Sequence, residues 1–199
     1  NLVEFILRSG DIDNRHSTKA QYDAMQIGSR LHRKIQGSMP GTYKAEVSLK
    51  HTAHYRDVEI LLEGRADGII TPDEKSVEGQ ANLLYQTQTD ENVSAEISFI
   101  IDEIKVIRQD MEKLDSAAQV HVAQALCYAY MYAKVLNTKA AGVTEENEEK
   151  KRICIGIQIT YCHPETEEIK RFLKVYTFKE IKEEFDRYIS EYGKWAQFL

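Results

Sequence analysis

The sequence predicts an α/β domain organised around a central mixed β-sheet flanked by α-helices, and three observations carry that expectation. Stretches alternating at the two-residue period of a strand are interleaved along the whole chain with stretches at the period of a helix. Residues 98–107 form a run of Ile and Val, as in strands covered on both faces. At 199 residues, 42% hydrophobic and 29% charged, the chain has the size and composition of one compact globular domain.

The elements follow in order. Residues 2–8 form a short amphipathic helix that Gly10 stops. A second helix is expected over 18–36, with Ser17 as N-cap and Gly37 as terminator; its apolar side carries Met25, Leu31 and Ile35. Three strands come next, over 43–49, 55–63 and 65–71, with a break or bulge near Gly64 and a turn at Thr71-Pro72-Asp73. In the first of them Ala45, Val47 and Leu49 share one face, and Lys44, Glu46 and Ser48 the other. Residues 73–95 are polar and read as a loop or loosely formed extension. After the 98–107 strand, residues 113–136 have helical spacing, and the charged run 144–151 reads as a solvated linker. Ile153, Ile155, Ile157 and Ile159 alternate in a strand whose partner is 169–176, across a turn at His163-Pro164-Glu165-Thr166. Thr177 and Glu180 form a capping box that opens the final helix, striped by Phe178, Ile181, Phe185, Tyr188 and Tyr192.

Composition narrows the function classes. No apolar stretch approaches the roughly 20 residues that span a bilayer, and the start carries no secretory apolar core. The formal net charge of -6 argues against a basic surface that coats nucleic acid, yet an active site made of carboxylates is itself acidic. Cys127, Cys154 and Cys162 are odd in number and form no C-x-x-C pair, so free thiols and a cytoplasmic setting are expected. Opening on Asn1 rather than Met, the chain is expected to be part of a longer protein.

Chemistry concentrates at four places. The apolar strand is interrupted as Phe99-Ile-Ile-Asp-Glu-Ile-Lys-Val-Ile107, and buried charge is costly without compensation. Alternation puts Glu103 and Lys105 on one face and Asp102 and Ile104 on the other, although E-x-K alone is a common triplet that also suits a strand near a sheet edge. Asp67 lies in Leu62-Glu-Gly-Arg-Ala-Asp-Gly-Ile-Ile70, beside a glycine where backbone can be approached closely or a simple turn can form. Gly28 and His32 sit one turn apart on the second helix; the glycine costs about 1 kcal/mol there, which close approach to another backbone would explain. His121, Gln124 and Tyr128 share one face of a later helix, as hydrogen-bonding groups or an ordinary polar face. Glu46 is either a supporting acid or a solvent-facing residue, and His51 and His54 are read as surface histidines.

Taken in order, the Gly-to-His helix, G-R-x-D-G, E-x-K and Q-x-x-x-Y resemble the RecB-like branch of the PD-(D/E)XK nucleases. That branch includes the nuclease domains of RecB- and AddB-type exonucleases and of CRISPR-associated adaptation nucleases. The resemblance spans roughly His32 to Tyr128 with the preceding helix. It implies a restriction-endonuclease-like core over 1–199 as a single domain, with an insertion at about 73–95. It implies that His32, Asp67, Glu103 and the Ile104 carbonyl hold Mg²⁺ or Mn²⁺, the imidazole tilting the choice toward Mn²⁺. Asp67, Glu103 and Lys105 are then the catalytic set, with Gln124 and Tyr128 organising the site and touching DNA. The cysteines lack the arrangement of iron–sulfur-bearing relatives, so no cluster is expected. By analogy with that branch, the partners are single-stranded or end-containing DNA and a covalently linked helicase domain, in DNA repair or recombination. The alternative is a catalytically silent module that positions DNA for a larger helicase.

Overall fold

The protein, seen in a computed structural model, is described over residues 2–7, 19–71, 97–139 and 154–197. Gly10, Ser17, the turn at 72–73, the 73–95 segment and the 144–151 run lie outside these residues. Among the described residues four helices, α1 (Leu2–Leu7), α2 (Lys19–Gly37), α3 (Gln119–Lys139) and α4 (Phe178–Ala196), accompany five strands, β1 (Tyr43–Tyr55), β2 (Val58–Ile70), β3 (Ile97–Val106), β4 (Cys154–Cys162) and β5 (Ile169–Thr177). The strands form one sheet in sequence order. Every adjacent pair is antiparallel except β3 and β4, which run parallel. A parallel pair needs a long crossover, and the stretch between β3 and β4 includes α3. This α/β layout is consistent with the expected restriction-endonuclease-like core.

The sheet is covered on both faces, which explains why β4 is buried at every position. On one face Leu31 and Ile35 of α2 pack with Ile104 and Cys162. Arg30 and Lys34 of the same helix pair with Glu167 in the turn between β4 and β5, tying α2 to that end of the sheet. On the other face α3 contributes Ala123, Ala125, Leu126, Ala129 and Ala133 to the main core, together with Ile155, Ile157 and Ile159 of β4. Its small side chains let the helix lie close to the sheet. The last helix is entered through the capping box, with Glu180 N–H donating to Thr177 Oγ1 and Thr177 N–H donating to Glu180 Oε2. Its Ile181, Phe185 and Tyr188 are buried as the spacing requires.

Several expectations need correction. β2 runs unbroken through Gly64, and β1 extends to Tyr55 instead of ending at Leu49. The two strands reverse over Arg56 and Asp57, with Arg56 in the left-handed region at φ 51, as a two-residue hairpin turn demands. Met25 is 63% exposed, so the buried stripe of α2 is narrower than its apolar residues suggest. The predicted helix at 113 starts later, at Gln119. His51 lies edge-on against Tyr130 and Phe185, so burial, more than the nearby Lys134 and His54, lowers its pKa. A side chain at Gly28 would meet nothing within 4 Å among the described residues, so none of them approaches closely enough to require that glycine.

Inward and outward alternation in β1 and β2 changes over at one point. Leu49 and Ala53 of β1, and Ile60, Leu62 and Ala66 of β2, belong to the core on the α3 face. Beyond the changeover Tyr43 reaches the other face and bonds Asp102, Ala45 is exposed, and Ile69 rejoins the core. The changeover lies at Glu46, opposite Asp67, where the paired register has its gap. Glu46 has φ 55, a left-handed conformation that is uncommon for a side-chain-bearing residue. β2 then pairs with β3 only over Gly68 to Ile70, so the two strands diverge at the Asp67 end.

Candidate functional site

Divergence of β2 from β3 leaves backbone groups of β3 without a ladder partner, and Asp67 fills the gap. Its Oδ2 accepts the Ile104 N–H at 2.8 Å, bridging the two strands through a side chain where they diverge. His32 of α2 approaches the other carboxylate oxygen, with Nδ1 3.5 Å from Asp67 Oδ1. From behind, Gln36 Nε2 donates to the Asp67 carbonyl at 3.0 Å and to Glu46 Oε1 at 2.8 Å. Arg65 Nε, 2.6 Å from Glu46 Oε2, fixes the second oxygen of that acid. Glu46 therefore braces the Asp67 turn while remaining exposed to solvent.

On the α3 face of β3, Glu103 and Lys105 meet as alternation requires: Lys105 Nζ donates to Glu103 Oε1 at 2.7 Å. Lys105 Nζ also donates to Gln124 Oε1 at 3.2 Å, and Gln124 Nε2 donates to Tyr128 Oη at 3.3 Å. A polar relay thus runs from strand to helix along the i, i+4 pair of α3. Gly64 makes room for it, since a Cβ there would lie 2.6 Å from Tyr128 Cε1. His121 stands apart, its Nδ1 2.8 Å from the hydroxyl of Tyr161.

Glu103 is only 2% exposed, yet its Oε2 has no hydrogen-bond partner among the described residues. Burial pushes its carboxyl up to about 7, against the pull of Lys105 and with the help of the Asp67 charge. Burial works to lower the Lys105 ammonium, but the facing Glu103 carboxylate, with Asp67 and Tyr128, outweighs it and raises the pKa. Lys105 is therefore a cation held against a carboxylate that burial alone would neutralise.

Behind Glu103, on the α2 face, lies a second buried acid. Asp102 is fully buried and accepts from Thr160 Oγ1 at 2.5 Å, Gln158 Nε2 at 2.9 Å and the Tyr43 hydroxyl at 3.1 Å. Burial raises its pKa, opposed by these three hydrogen bonds and by Arg171. The Tyr43 ring fills the space over Gly68, where a Cβ would meet its hydroxyl at 1.9 Å. Asp102 thereby joins β1, β3 and β4 beside the residues that bear Asp67 and Glu103. Sequence reasoning noted Asp102 but missed its partners. A signal existed in β4, where Gly156, Gln158 and Thr160 alternate with the isoleucines and so share the face opposite them.

The donor chemistry suits a hard divalent cation: two carboxylates, an imidazole and the Ile104 carbonyl where β2 leaves β3, with an unsatisfied buried oxygen on Glu103. Among the described residues, no three His, Cys, Asp or Glu side chains already stand together as a metal cage. The fit therefore rests on the orphaned oxygen and on the nature of the donors. Cys127, Cys154 and Cys162 are buried and form no disulfide.

Comparison with known proteins adds little. No protein-family model matches the chain, and no curated protein does so. Among solved structures, the crystal structure of SSO0001 is similar over 85% of this chain and 61% of that one, at 16% identity and a TM-score of 0.47. The chain thus spans less than two thirds of that neighbour's length, and so weak a likeness carries no argument. Among the described residues, no helix is long and apolar enough to cross a membrane.

Proposed function

We propose that the protein is a divalent-metal-dependent deoxyribonuclease that hydrolyses DNA phosphodiester bonds. One observation carries the reading: among the described residues Glu103 keeps a buried oxygen without a partner while its other oxygen holds Lys105, beside Asp67 and His32. Buried polar atoms are almost always satisfied, so an orphaned oxygen among these polar groups supports a cation there. Asp67, Glu103, His32 and the Ile104 carbonyl would hold Mg²⁺ or Mn²⁺. When bound, such an ion lowers the pKa of water and offsets charge on a phosphate.

The chain's own groups supply the rest. Lys105, tethered by Glu103 and Gln124, presents a fixed positive charge where a phosphodiester gains negative charge on the way to its transition state. A pre-positioned ammonium needs no reorganisation at that moment. Gln124 and Tyr128 hold the lysine from α3 and line the approach to it. The resemblance to RecB-like nucleases adds the cellular part of the proposal: DNA repair or recombination in the cytoplasm, beside a linked helicase domain.

The test is cleavage of labelled single-stranded and double-stranded DNA with Mn²⁺, Mg²⁺ or EDTA. Lys105→Ala should abolish cutting and keep metal binding by calorimetry, whereas Asp67→Ala should lose both. Wild-type rates in both variants would end this assignment.

A further inference from the structure

β5 carries a face of alternating cations and rings. Lys170, Phe172, Lys174 and Tyr176 alternate along it and so share one side of the strand. Each ammonium lies near the next ring: Lys170 Nζ is 5.7 Å from the Phe172 centroid, and Lys174 Nζ is 4.8 Å from that of Tyr176. With Arg171 the strand holds three cations and no carboxylate, in a protein whose net charge is -6. β5 is also the outermost strand on its side of the sheet, so the row follows a rim.

The row is placed relative to the candidate site by register. Lys170 pairs with Tyr161 and Tyr161 pairs with Lys105 on the α3 face at one end of the sheet, with Tyr161 buried between the two lysines and Lys170 Nζ donating to the Met111 carbonyl at 2.8 Å. Two strand spacings separate Lys105 from Lys170, about 10 Å. From there the row leads away past Phe172 and Lys174 to Tyr176. Phe172, Lys174 and Tyr176 form one wall of a groove of about 290 Å³, closed on the other side by Asp115, Ser116 and Val122.

We propose that the outer part of this row, Phe172, Lys174 and Tyr176, is a binding track for single-stranded DNA on the same face of the sheet as Lys105. Ammonium groups suit phosphates, and aromatic rings suit the faces of unpaired bases of any sequence. Paired bases cannot offer those faces, so the track selects unpaired over duplex DNA. The larger groove beside Gln124 and Tyr128 exposes Leu61 and Trp195 but has Glu63 and no cation in its lining, whereas in the β5 groove Lys174 offsets Asp115. Choosing DNA as the occupant rests on the nuclease reading; the position of the track rests on β5 itself.

The experiment is fluorescence anisotropy of a labelled single strand of about a dozen nucleotides in EDTA, at several salt concentrations, with a duplex of equal length alongside. Lys174 is exposed, so Lys174→Gln reads binding without touching the core. It should weaken single-strand affinity several-fold and reduce the salt slope by about 0.7. Tyr176→Leu should weaken it by about ten-fold, within the range of one stacked base, and Trp195→Leu should leave it unchanged. Duplex should bind more weakly than the single strand. Unchanged affinity in both β5 variants, or a loss that falls on Trp195→Leu instead, overturns the track. A wild type that binds through β5 but cuts nothing with Mn²⁺ supports the track and removes the nuclease reading. A wild type that cuts while both β5 variants bind and cut equally well does the reverse.

Discussion

Replacing Glu103 by glutamine tests the charge at the centre of the site without needing a substrate. Burial holds this carboxyl at about 7 in the folded protein, against an ordinary 4.5. An acid raised by folding keeps its proton in the native state at pH values where the unfolded chain has released it. Stability therefore falls as pH rises through the window from 4.5 to about 7, and levels off above it. A rise of that size corresponds to about 3 kcal/mol. Asp102 acts in the same direction, because burial raises it too, while the lowered pKa of His51 acts in the opposite one. The informative quantity is thus the difference between wild type and Glu103→Gln in urea unfolding with EDTA, compared at acid and at mildly alkaline pH. Wild type should lose about 3 kcal/mol more than the variant across the window. Adding Mn²⁺ above pH 7 should restore stability to wild type and not to the variant, since a cation that binds only the folded state stabilises it by mass action. Parallel pH curves for the two proteins would refute the reasoning. Glu103 would then ionise in the ordinary range, and its orphaned oxygen would no longer argue for a cation.

Two further predictions follow from packing. Gly64→Ala drives a methyl to 2.6 Å from the Tyr128 ring, so it should cost about 1–3 kcal/mol of stability and lower cleavage by displacing the Gln124–Tyr128 relay. Gly28→Ala, with open space around it, should raise thermal stability by up to about 1 kcal/mol. Asp102→Ala strands three donors, on Tyr43, Gln158 and Thr160, and should cost about 3 kcal/mol or more by chemical denaturation. Tyr43→Phe removes one of those bonds and should cost about 1 kcal/mol. An equal cost for both substitutions would show that Asp102 does not act as a shared anchor.

Much of the site could be read from periodicity. Strand alternation placed Glu103 with Lys105 and Asp102 with Ile104, because the side-chain period of a strand is two wherever it is extended. Helical spacing put Gln124 beside Tyr128, and the capping box at Thr177 needed only residues three apart. These relations are local, so the sequence carries them whole. Where alternation itself changed over, the reading lost its footing. Alternation puts Ala45 on the face of Val47 and Leu49, yet it is exposed while Leu49 is buried, because Glu46 adopts φ 55 and the strand turns over beside it. Gly64 looked like a break in a strand, and its actual reason is the ring of a tyrosine from another element.

By itself, then, the sequence determined which residue types share a face of each strand and helix, and it marked charges inside an apolar strand as unusual. Tertiary structure alone decided what those charges meet. The bond from Ile104 N–H to Asp67 joins residues 37 positions apart, and Asp102 finds its partners 56 and 58 positions on and 59 positions back. Such contacts depend on where β2 leaves β3 and on the pairing of β4 with β3, which no local period encodes. The orphaned oxygen of Glu103 is of the same kind, since whether a buried polar atom has a partner depends on everything the fold brings near it.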